Sequence, residues 1–275
     1  MTSVDVPVTH LPNAFSIGLK RAGIEIRQLV RDREAAVFTF IFPVLLLVVF
    51  GLIFNTDIGN GVKFSQYFVA GMIASGVFYT GFQNLAITIP QERDDGTLKR
   101  LEGTPMPKSS YFIGKIGVVL VAYIAQVFLL IVVGKLAFGF DIPSQLSLWV
   151  TFVWVSALGL TCCVLLGLAF SSVPKTGKGA PAIVTPIVLV LQFTSGVFFV
   201  YSQLPTWLQH VASVFPLKWM VQGMQSVFLP DSFASDMTGT NSWQLGQVAI
   251  VLAVWTIAAA ILAGATFRWR RRGDN

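Results

Sequence analysis

Residues 146–170, LSLWVTFVWVSALGLTCCVLLGLAF, decide the fold class of this chain. The segment holds no charged side chain, and a helix needs about 20 predominantly apolar residues to cross the hydrocarbon core of a bilayer. The segment therefore predicts a membrane-spanning helix. Cys162 and Cys163 within it are adjacent and point in different directions, so they are interpreted as packing residues rather than as a disulfide or a metal site.

The composition extends this prediction to the whole chain. Its 275 residues are 54% hydrophobic and only 12% charged, whereas a soluble domain has roughly 25% charged residues. The mean hydropathy is +0.71, and one globular core cannot hide so much apolar surface, which excludes an ordinary soluble enzyme. The formal charge of +6 is attributed to loops at the cytoplasmic membrane surface, so no nucleic-acid partner is expected.

Five further apolar stretches accompany the first. Together they predict an all-α membrane protein with six transmembrane helices, at roughly 35–54, 64–89, 110–138, 146–170, 183–200 and 244–267. The chain is accordingly divided into a cytoplasmic N-terminus at 1–34, a transmembrane domain at 35–267 and a basic cytoplasmic tail at 268–275.

The basic residues predict the orientation. Of the 19 Lys and Arg residues, all but Lys63, Lys135 and Lys218 fall on one side of the predicted membrane when Lys115 is counted with the loop before it. The positive-inside rule places that side in the cytoplasm. A multi-pass protein of the plasma or inner membrane, with both termini cytoplasmic, is therefore expected.

Two segments differ from a plain six-helix bundle. Residues 15–33 carry apolar side chains at spacings of three and four between basic ones, which predicts an amphipathic helix on the inner leaflet; a solvated helix packed on a cytoplasmic domain is the alternative. In the loop 201–243, residues 204–228 are apolar and aromatic but broken by Pro205 and Pro216. A seventh crossing would place the Arg-rich tail outside, so a re-entrant pair of short helices is predicted as a lid on the outer face.

The residues offer little catalytic chemistry. Intramembrane enzymes and ion-coupled carriers place ionisable groups within the membrane, but the predicted span centres have none, and His10 and His210 fall on opposite sides. The stretch KTGKG at 175–179 lacks the upstream glycine and the Ser or Thr of a phosphate loop. Asp94 and Asp95 are interpreted as a solvated charged face rather than as a metal pair. We expect no catalytic residue, metal or cofactor in this chain.

The most informative loop is residues 90–107, PQERDDGTLKRLEGTPMP. It follows a predicted span directly, prolines bound it at both ends, and Leu98 and Leu101 share one helical face. A rigid polar segment of this kind is suited to dock on a soluble partner. The alternative, on composition alone, is an ordinary charged linker.

Within this loop the sequence resembles a known family. ERDDGTLKRL at 92–101, followed by TPM at 104–106, resembles the E-R-E-x-G-T-L-E-x-L-x-x-T-P signature of type-2 ATP-binding-cassette (ABC) exporter permeases, with departures at Asp94 and Lys99, where that family favours Glu. SGVFF at 195–199, with LPTWL at 204–208 and FPL at 215–217, resembles the last outer segment of the same family. The resemblance covers nearly the whole chain, and daunorubicin-type drug-resistance permeases look most similar.

The resemblance implies a permease subunit that exports hydrophobic drugs or lipid-like molecules by alternating access. It implies two separately encoded ATPase subunits, which would bind ATP and Mg²⁺, and a second or homologous permease as a dimer partner. The helix at 15–33 would be the connecting helix and residues 92–101 the coupling helix. The implied coupling residues are Glu92, Arg93, Asp94, Gly96, Thr97, Leu98 and Leu101.

The resemblance also implies that spans 2 and 5 line a path at the dimer axis. The expected pathway residues are Phe78, Gln83, Asn84, Gln192, Thr194 and Ser195, and the expected outer-gate residues are Phe198, Phe199, Pro205 and Trp207. For each of them the alternative is helix packing or lipid contact. Two other functions stay open: a stand-alone channel or secondary carrier and, within the same fold, a polysaccharide or teichoic-acid exporter.

Overall fold

The computed structural model describes residues 13–54, 56–59 and 61–269, and the side chains of all of these except Ala35 and Asp236. Over this range the chain is helical, and the one β-pairing is an isolated bridge between Asp57 and Lys63. The α-helices are α1 (Ala14–Arg31), α2 (Arg33–Ala36), α3 (Phe42–Ile53), α4 (Phe64–Val77), α5 (Asn84–Asp94), α6 (Thr97–Glu102), α7 (Lys108–Phe138), α8 (Leu146–Phe170), α9 (Ala180–Thr194), α10 (Thr206–Val214), α11 (Pro216–Phe228), α12 (Ala234–Thr238) and α13 (Leu245–Thr266). His10 and the predicted basic tail beyond Trp269 lie outside the described residues.

Two pairs of these helices are continuous. The π-helical turn Val37–Ile41 joins α2 to α3, and the turn Phe78–Gln83 joins α4 to α5. Because the flanking residues keep right-handed helical backbone angles, each pair forms one longer helix. The second of these long helices carries the signature residues at its C-terminal end.

The lengths of the helices agree with a membrane protein. By length and composition α7, α8 and α13 can each cross a membrane, while Val37–Ile53 and α9 are shorter apolar helices. Helix α8 has the bounds predicted from the sequence. Helix α9 was expected to reach residue 200 but ends at Thr194, because Gly196 takes a left-handed backbone conformation with a φ of 83° and turns the chain.

Helix α4 lies at the centre of the bundle. Every residue of it except Gln66 is buried, and α3, α7, α8 and α11 pack around it. Helix α13 packs on α8, and α1 packs along α7. Helix α11 is also buried over its whole length. The predicted interruption at Pro216 is present, and it separates the mostly exposed short helix α10 from the buried helix α11.

The bundle has two ends, set by the continuous α4–α5 helix. We call the end at which α5 finishes the Glu92 end; α1, α6 and the first turns of α7 lie there, since Glu92 contacts α7 and α7 contacts α1. The predicted re-entrant pair corresponds to α10 and α11, which we call the hairpin. We call the other end of the bundle the hairpin end, because Gln66 near the start of α4 donates a hydrogen bond to the Phe228 carbonyl oxygen of α11 at 2.9 Å.

Candidate functional site

Three consecutive residues at the end of α5, Glu92, Arg93 and Asp94, each bind a different part of the chain. We call them the triplet. Residues that follow one another on a helix point about 100° apart, so one turn can contact three neighbours at once. The contacts of the triplet connect α5 to α7, the end of α8, the 171–179 turn and the segment that follows α13, and through Lys115 also to α1.

Glu92 lies at one end of a line of alternating charges. Its carboxylate accepts hydrogen bonds from the Tyr111 hydroxyl at 2.7 Å and from the Lys115 ammonium at 2.5 Å. The same ammonium forms an ion pair with Glu25 at 3.1 Å, and Glu25 pairs with Arg21 at 3.0 Å. Lys115 is only 5% exposed and Glu25 only 8%. Two cations and two carboxylates therefore balance one another where α1, α5 and α7 meet, as buried charges require.

Arg93 binds backbone rather than side chains. Its guanidinium donates to the carbonyl oxygen of Ser171, at the end of α8, at 2.9 Å and to that of Arg268, beyond α13, at 3.1 Å. Burial lowers the pKa of Arg93, an effect that Tyr111 and Asp94 oppose, and a guanidinium stays charged in proteins. One charged donor therefore fixes the segments that follow α8 and α13 to α5.

Asp94 holds the turn between α8 and α9. Its carboxylate accepts a hydrogen bond from the Gly177 backbone N–H at 2.6 Å. A Cβ atom at Gly177 would lie 2.6 Å from the Cα atom of Gln91 and 3.1 Å from the Pro90 carbonyl oxygen. The turn thus comes so close to α5 that only glycine fits. The close approach explains why residue 177, within KTGKG, is a glycine.

Helix α6 projects from the triplet as a short arm. The Asp95 carboxylate accepts from the Thr97 backbone N–H at 2.8 Å and starts the helix. Leu98 is fully buried and anchors one face, while Lys99 and Arg100 are exposed on the other. The arm is therefore fixed to the bundle along one side and open along the other.

The coupling residues implied by the sequence fall into two groups. Glu92, Arg93, Asp94 and Leu98 bind within the chain, so they brace the helices and are not a free surface; Gly96, Thr97 and Leu101 are partly exposed. Sequence reasoning did not identify the partners of the triplet. One signal was present: Lys115 is a cation in an apolar run of α7, and such residues are rare unless they are paired.

One of the expected pathway residues, Gln192, contacts α4. The Gln192 side chain, 2% exposed, donates a hydrogen bond to the Ser75 hydroxyl at 2.7 Å. Nearby in sequence, the Ser195 hydroxyl is buried without a hydrogen-bond partner among the described residues. The side-chain amide oxygen of Gln83 is likewise buried without one. Buried polar atoms that form no hydrogen bond are uncommon. They leave hydrogen-bonding sites inside an otherwise apolar bundle.

The remaining pathway residues are placed differently. Phe78 is buried by this chain's own helices and its ring lies 4.8 Å from that of Phe82. The Thr194 hydroxyl donates to the Leu191 carbonyl oxygen of its own helix, and Asn84 is half-buried. Phe78 begins the π-helical turn that follows α4, and it packs within one chain in this conformation.

The expected gate residues do not form one cluster. The Phe198 ring stacks on Phe193 of α9 at 4.7 Å and lies 5.8 and 5.9 Å from Phe50 of α3 and Phe68 of α4. Phe199 is 50% exposed. The other two lie at the start of α10, where Pro205 precedes the helix and Trp207 is exposed upon it. Of the expected gate residues, Phe198 is the one that closes the space between α3, α4 and α9.

An all-helical bundle with several apolar helices of membrane-crossing length defines a multi-pass membrane protein. Residues 56–265 match the family model described as ABC-2 family transporter protein, and the chain belongs to this family. It is a membrane permease subunit of an ABC transporter, which confirms the family predicted from the 92–106 signature. Membership implies association with ABC ATPase subunits in general.

Individual relatives are distant but cover most of the chain. The inner membrane transport permease YadH of Escherichia coli K12 is 23% identical over 238 residues, which cover 84% of this chain and 91% of YadH. The probable doxorubicin resistance ABC transporter permease protein DrrC of Mycobacterium tuberculosis is 23% identical over 266 residues, or 91% of this chain and 93% of DrrC. The probable multidrug ABC transporter permease YbhR of E. coli is 25% identical over 164 residues, 58% of this chain and 42% of YbhR. These relatives are transport permeases rather than enzymes.

Proposed function

We propose that this chain is the membrane subunit of an ATP-driven exporter of hydrophobic drugs or lipid-like molecules. It crosses the membrane six times, works as a dimer with a second or homologous permease, and docks two separate ATPase subunits at the Glu92 end, which faces the cytoplasm. The ATPase subunits supply the ATP and Mg²⁺ chemistry. The observation that carries the proposal is the triplet, whose five hydrogen bonds fix the end of α5, directly before α6, to the rest of the bundle.

The contacts of the triplet suit the transfer of force. A load on α6 passes through Glu92 to α7 and α1, through Arg93 to the ends of α8 and α13, and through Asp94 to the turn before α9. Packed helices move as rigid bodies between discrete arrangements. Closure of an ATPase dimer against α6 would then reorient the helices together between inward-open and outward-open states.

Helix α1 is placed to act as the connecting helix. Its buried residues, Gly18, Ala22 and Glu25, face the bundle, while Phe15 and Leu19 are 59% and 53% exposed. An amphipathic helix with such an apolar face lies in the membrane interface. In our proposal, α1 rests on the inner leaflet and the Glu25–Lys115 ion pair ties it to α7.

The substrate path would use the polar atoms between α4 and α9. Gln192 and Ser75 already bind each other, and Ser195 and Gln83 have unused hydrogen-bonding capacity. Apolar walls with a few polar groups suit a lipophilic molecule that carries some polar atoms. The name of DrrC includes resistance to doxorubicin.

Charge reversal on the open side of α6 is expected to weaken ATPase binding. The double variant Lys99→Glu and Arg100→Glu changes two exposed cations and leaves the triplet intact. If the ATPase presents acidic groups there, affinity should fall about tenfold or more, since 1.4 kcal/mol corresponds to one decade. The measurement is co-purification and titration of the permease with its co-encoded ATPase at two salt concentrations.

The matched control for this variant is Lys63→Glu with Lys135→Glu. It makes the same change of charge on exposed lysines that face the opposite side of the predicted membrane. ATPase affinity should match that of the unmodified chain. Equal affinity in both double variants would remove α6 from the docking surface.

Alanine at Gln192 is expected to change substrate preference while ATPase association stays normal. The substitution removes the bond to Ser75 and leaves that hydroxyl free to bind water or substrate. Transport of a panel of hydrophobic compounds into inverted vesicles is the measurement, with Gln203→Ala, an exposed glutamine at the hairpin end, as the control. An unchanged profile across the panel would assign Gln192 to helix packing.

The same vesicles separate an exporter from a channel or secondary carrier. An exporter moves substrate only when both ATP and the ATPase are present. Transport by the lone chain without ATP, at the rate of the complete complex, would contradict the proposed function.

A further inference from the structure

A cavity of about 430 Å³ opens at the hairpin end. It lies among the short 3₁₀ turn Tyr201–Gln203, α10, the first turn of α11, and α12. Its size falls within the range of small-molecule sites, roughly 300–1,000 Å³. Tyr201, His210, Ser213 and Lys218 are among its lining residues, and none of the described residues that line it is acidic.

Lys218 places a positive charge at the wall of this cavity. The residue is only 7% exposed, and its ammonium lies 3.8 Å from the ring centre of Trp219 and 5.1 Å from that of Tyr201. It donates a hydrogen bond to the Gln222 side-chain oxygen. Among the side chains that the structure describes, no carboxylate forms an ion pair with it. A buried cation is costly unless an opposite charge lies beside it.

The groups around Lys218 are held in place by their own hydrogen bonds. The Gln222 amide nitrogen donates to the Trp243 carbonyl oxygen at 2.6 Å, which fixes the amide oxygen toward Lys218. The Trp219 indole donates to the Ser213 carbonyl oxygen at 2.7 Å. The cation thus sits in a preformed site, which reduces the ordering cost when a ligand binds.

Helix α10 connects the cavity to an exposed apolar surface. His210 and Ser213 line the cavity, whereas Trp207, Val211 and Val214 are exposed at spacings of four and three residues. These three side chains form one apolar stripe along the helix, and an amphipathic helix with an exposed Trp is typical of the membrane interface. The cavity therefore lies beside the level of lipid headgroups.

We infer that this cavity binds the phosphate group of an anionic phospholipid, with Lys218 as its counter-charge. The acyl chains of the lipid lie along the Trp207, Val211 and Val214 stripe of α10. His210 and the Ser213 hydroxyl provide further polar contacts around the phosphate. The inference does not depend on the direction of transport or on an ATPase.

Lipid binding to the purified full-length chain tests this inference. Native mass spectrometry in detergent micelles measures the affinity for phosphatidylglycerol, for diacylglycerol with the same acyl chains, and for inorganic phosphate as a competitor. We expect phosphatidylglycerol to bind at least about tenfold more tightly than diacylglycerol, and Lys218→Met to remove most of this difference. The methionine keeps an apolar stem against Trp219.

Two matched controls carry the same loss of charge. Lys63→Met and Lys135→Met each remove an exposed lysine and should leave phosphatidylglycerol affinity within about twofold. If all three variants bind the lipid equally, the inference is overturned. It is also overturned if inorganic phosphate binds in a Lys218-dependent way while phosphatidylglycerol does not, because the site would then serve a soluble anion.

A second variant keeps the test valid if Lys218→Met fails to fold. Ser213→Phe places a ring in the cavity and leaves Lys218 unchanged, so it should reduce phosphatidylglycerol affinity about tenfold at an unchanged thermal midpoint. Unchanged affinity in a folded Ser213→Phe chain would mean that the lipid binds elsewhere.

Discussion

Lys115→Met is expected to destabilise the Glu92 end of the bundle more than any other single loss of charge. The substitution leaves the Glu92 and Glu25 carboxylates without the cation that lies between them at 2.5 and 3.1 Å. Breaking a buried ion pair by removing one partner costs about 3–5 kcal/mol, because the remaining charge is buried and uncompensated. We expect a clear fall in the thermal midpoint of the detergent-solubilised chain and loss of ATP-driven transport.

The partners of Lys115 provide an internal test. The double variant Lys115→Met with Glu92→Gln removes one cation and one carboxylate, and it leaves the Arg21–Glu25 pair at 3.0 Å. It should be more stable than Lys115→Met alone, since residues in one network have non-additive effects. Lys135→Met, an exposed lysine of the same helix α7, should change stability by no more than about 0.5 kcal/mol. Additive effects of Lys115 and Glu92 would contradict the network.

Gly167→Ala is expected to separate α8 from the central helix. A Cβ atom at Gly167 would lie 2.9 Å from the carbonyl oxygen of Phe82 and 3.0 Å from that of Gly81. Both are backbone atoms in the π-helical turn between α4 and α5, so they cannot rotate away. Overpacking of this kind costs about 1–3 kcal/mol, and displacement of the turn should also lower transport. The thermal midpoint and the yield of monodisperse protein are the measurements.

The matched control for this variant is Gly264→Ala. Gly264 lies in α13, and a Cβ atom there meets nothing within 4 Å. Alanine favours helix over glycine by up to about 1 kcal/mol, so this variant should be as stable as the unmodified chain or more stable. Equal behaviour of the two alanine variants would show that α8 tolerates a larger separation from the π-helical turn.

These predictions show which features could be read from the sequence. Gly159, Cys163 and Gly167 of α8, with Ser171 directly after the helix, recur every four residues. This stripe of small residues predicts a close helix contact without naming the partner. The structure places Gly167 and Cys163 against the π-helical turn. The apolar stretches likewise predict helices, because hydrophobicity over about 20 residues is a local property.

Contacts between distant residues could not be predicted in this way. The triplet was identified by its resemblance to a family signature, but its partners lie 19, 23, 78, 83 and 175 residues away. No local pattern encodes such pairings. For the same reason the sequence does not predict that Glu25 pairs with Lys115 or that Lys218 lies beside a cavity.

The contacts of Arg93 also set an order for biogenesis. Its second carbonyl acceptor belongs to Arg268, 175 residues further along the chain, so that hydrogen bond cannot form until the final helix has been synthesised and inserted. Until then α6 lacks one of its braces. In an unfinished chain the end of α5, which precedes α6, is therefore held by one hydrogen bond fewer, and under the proposed function an ATPase would meet a less firmly fixed arm.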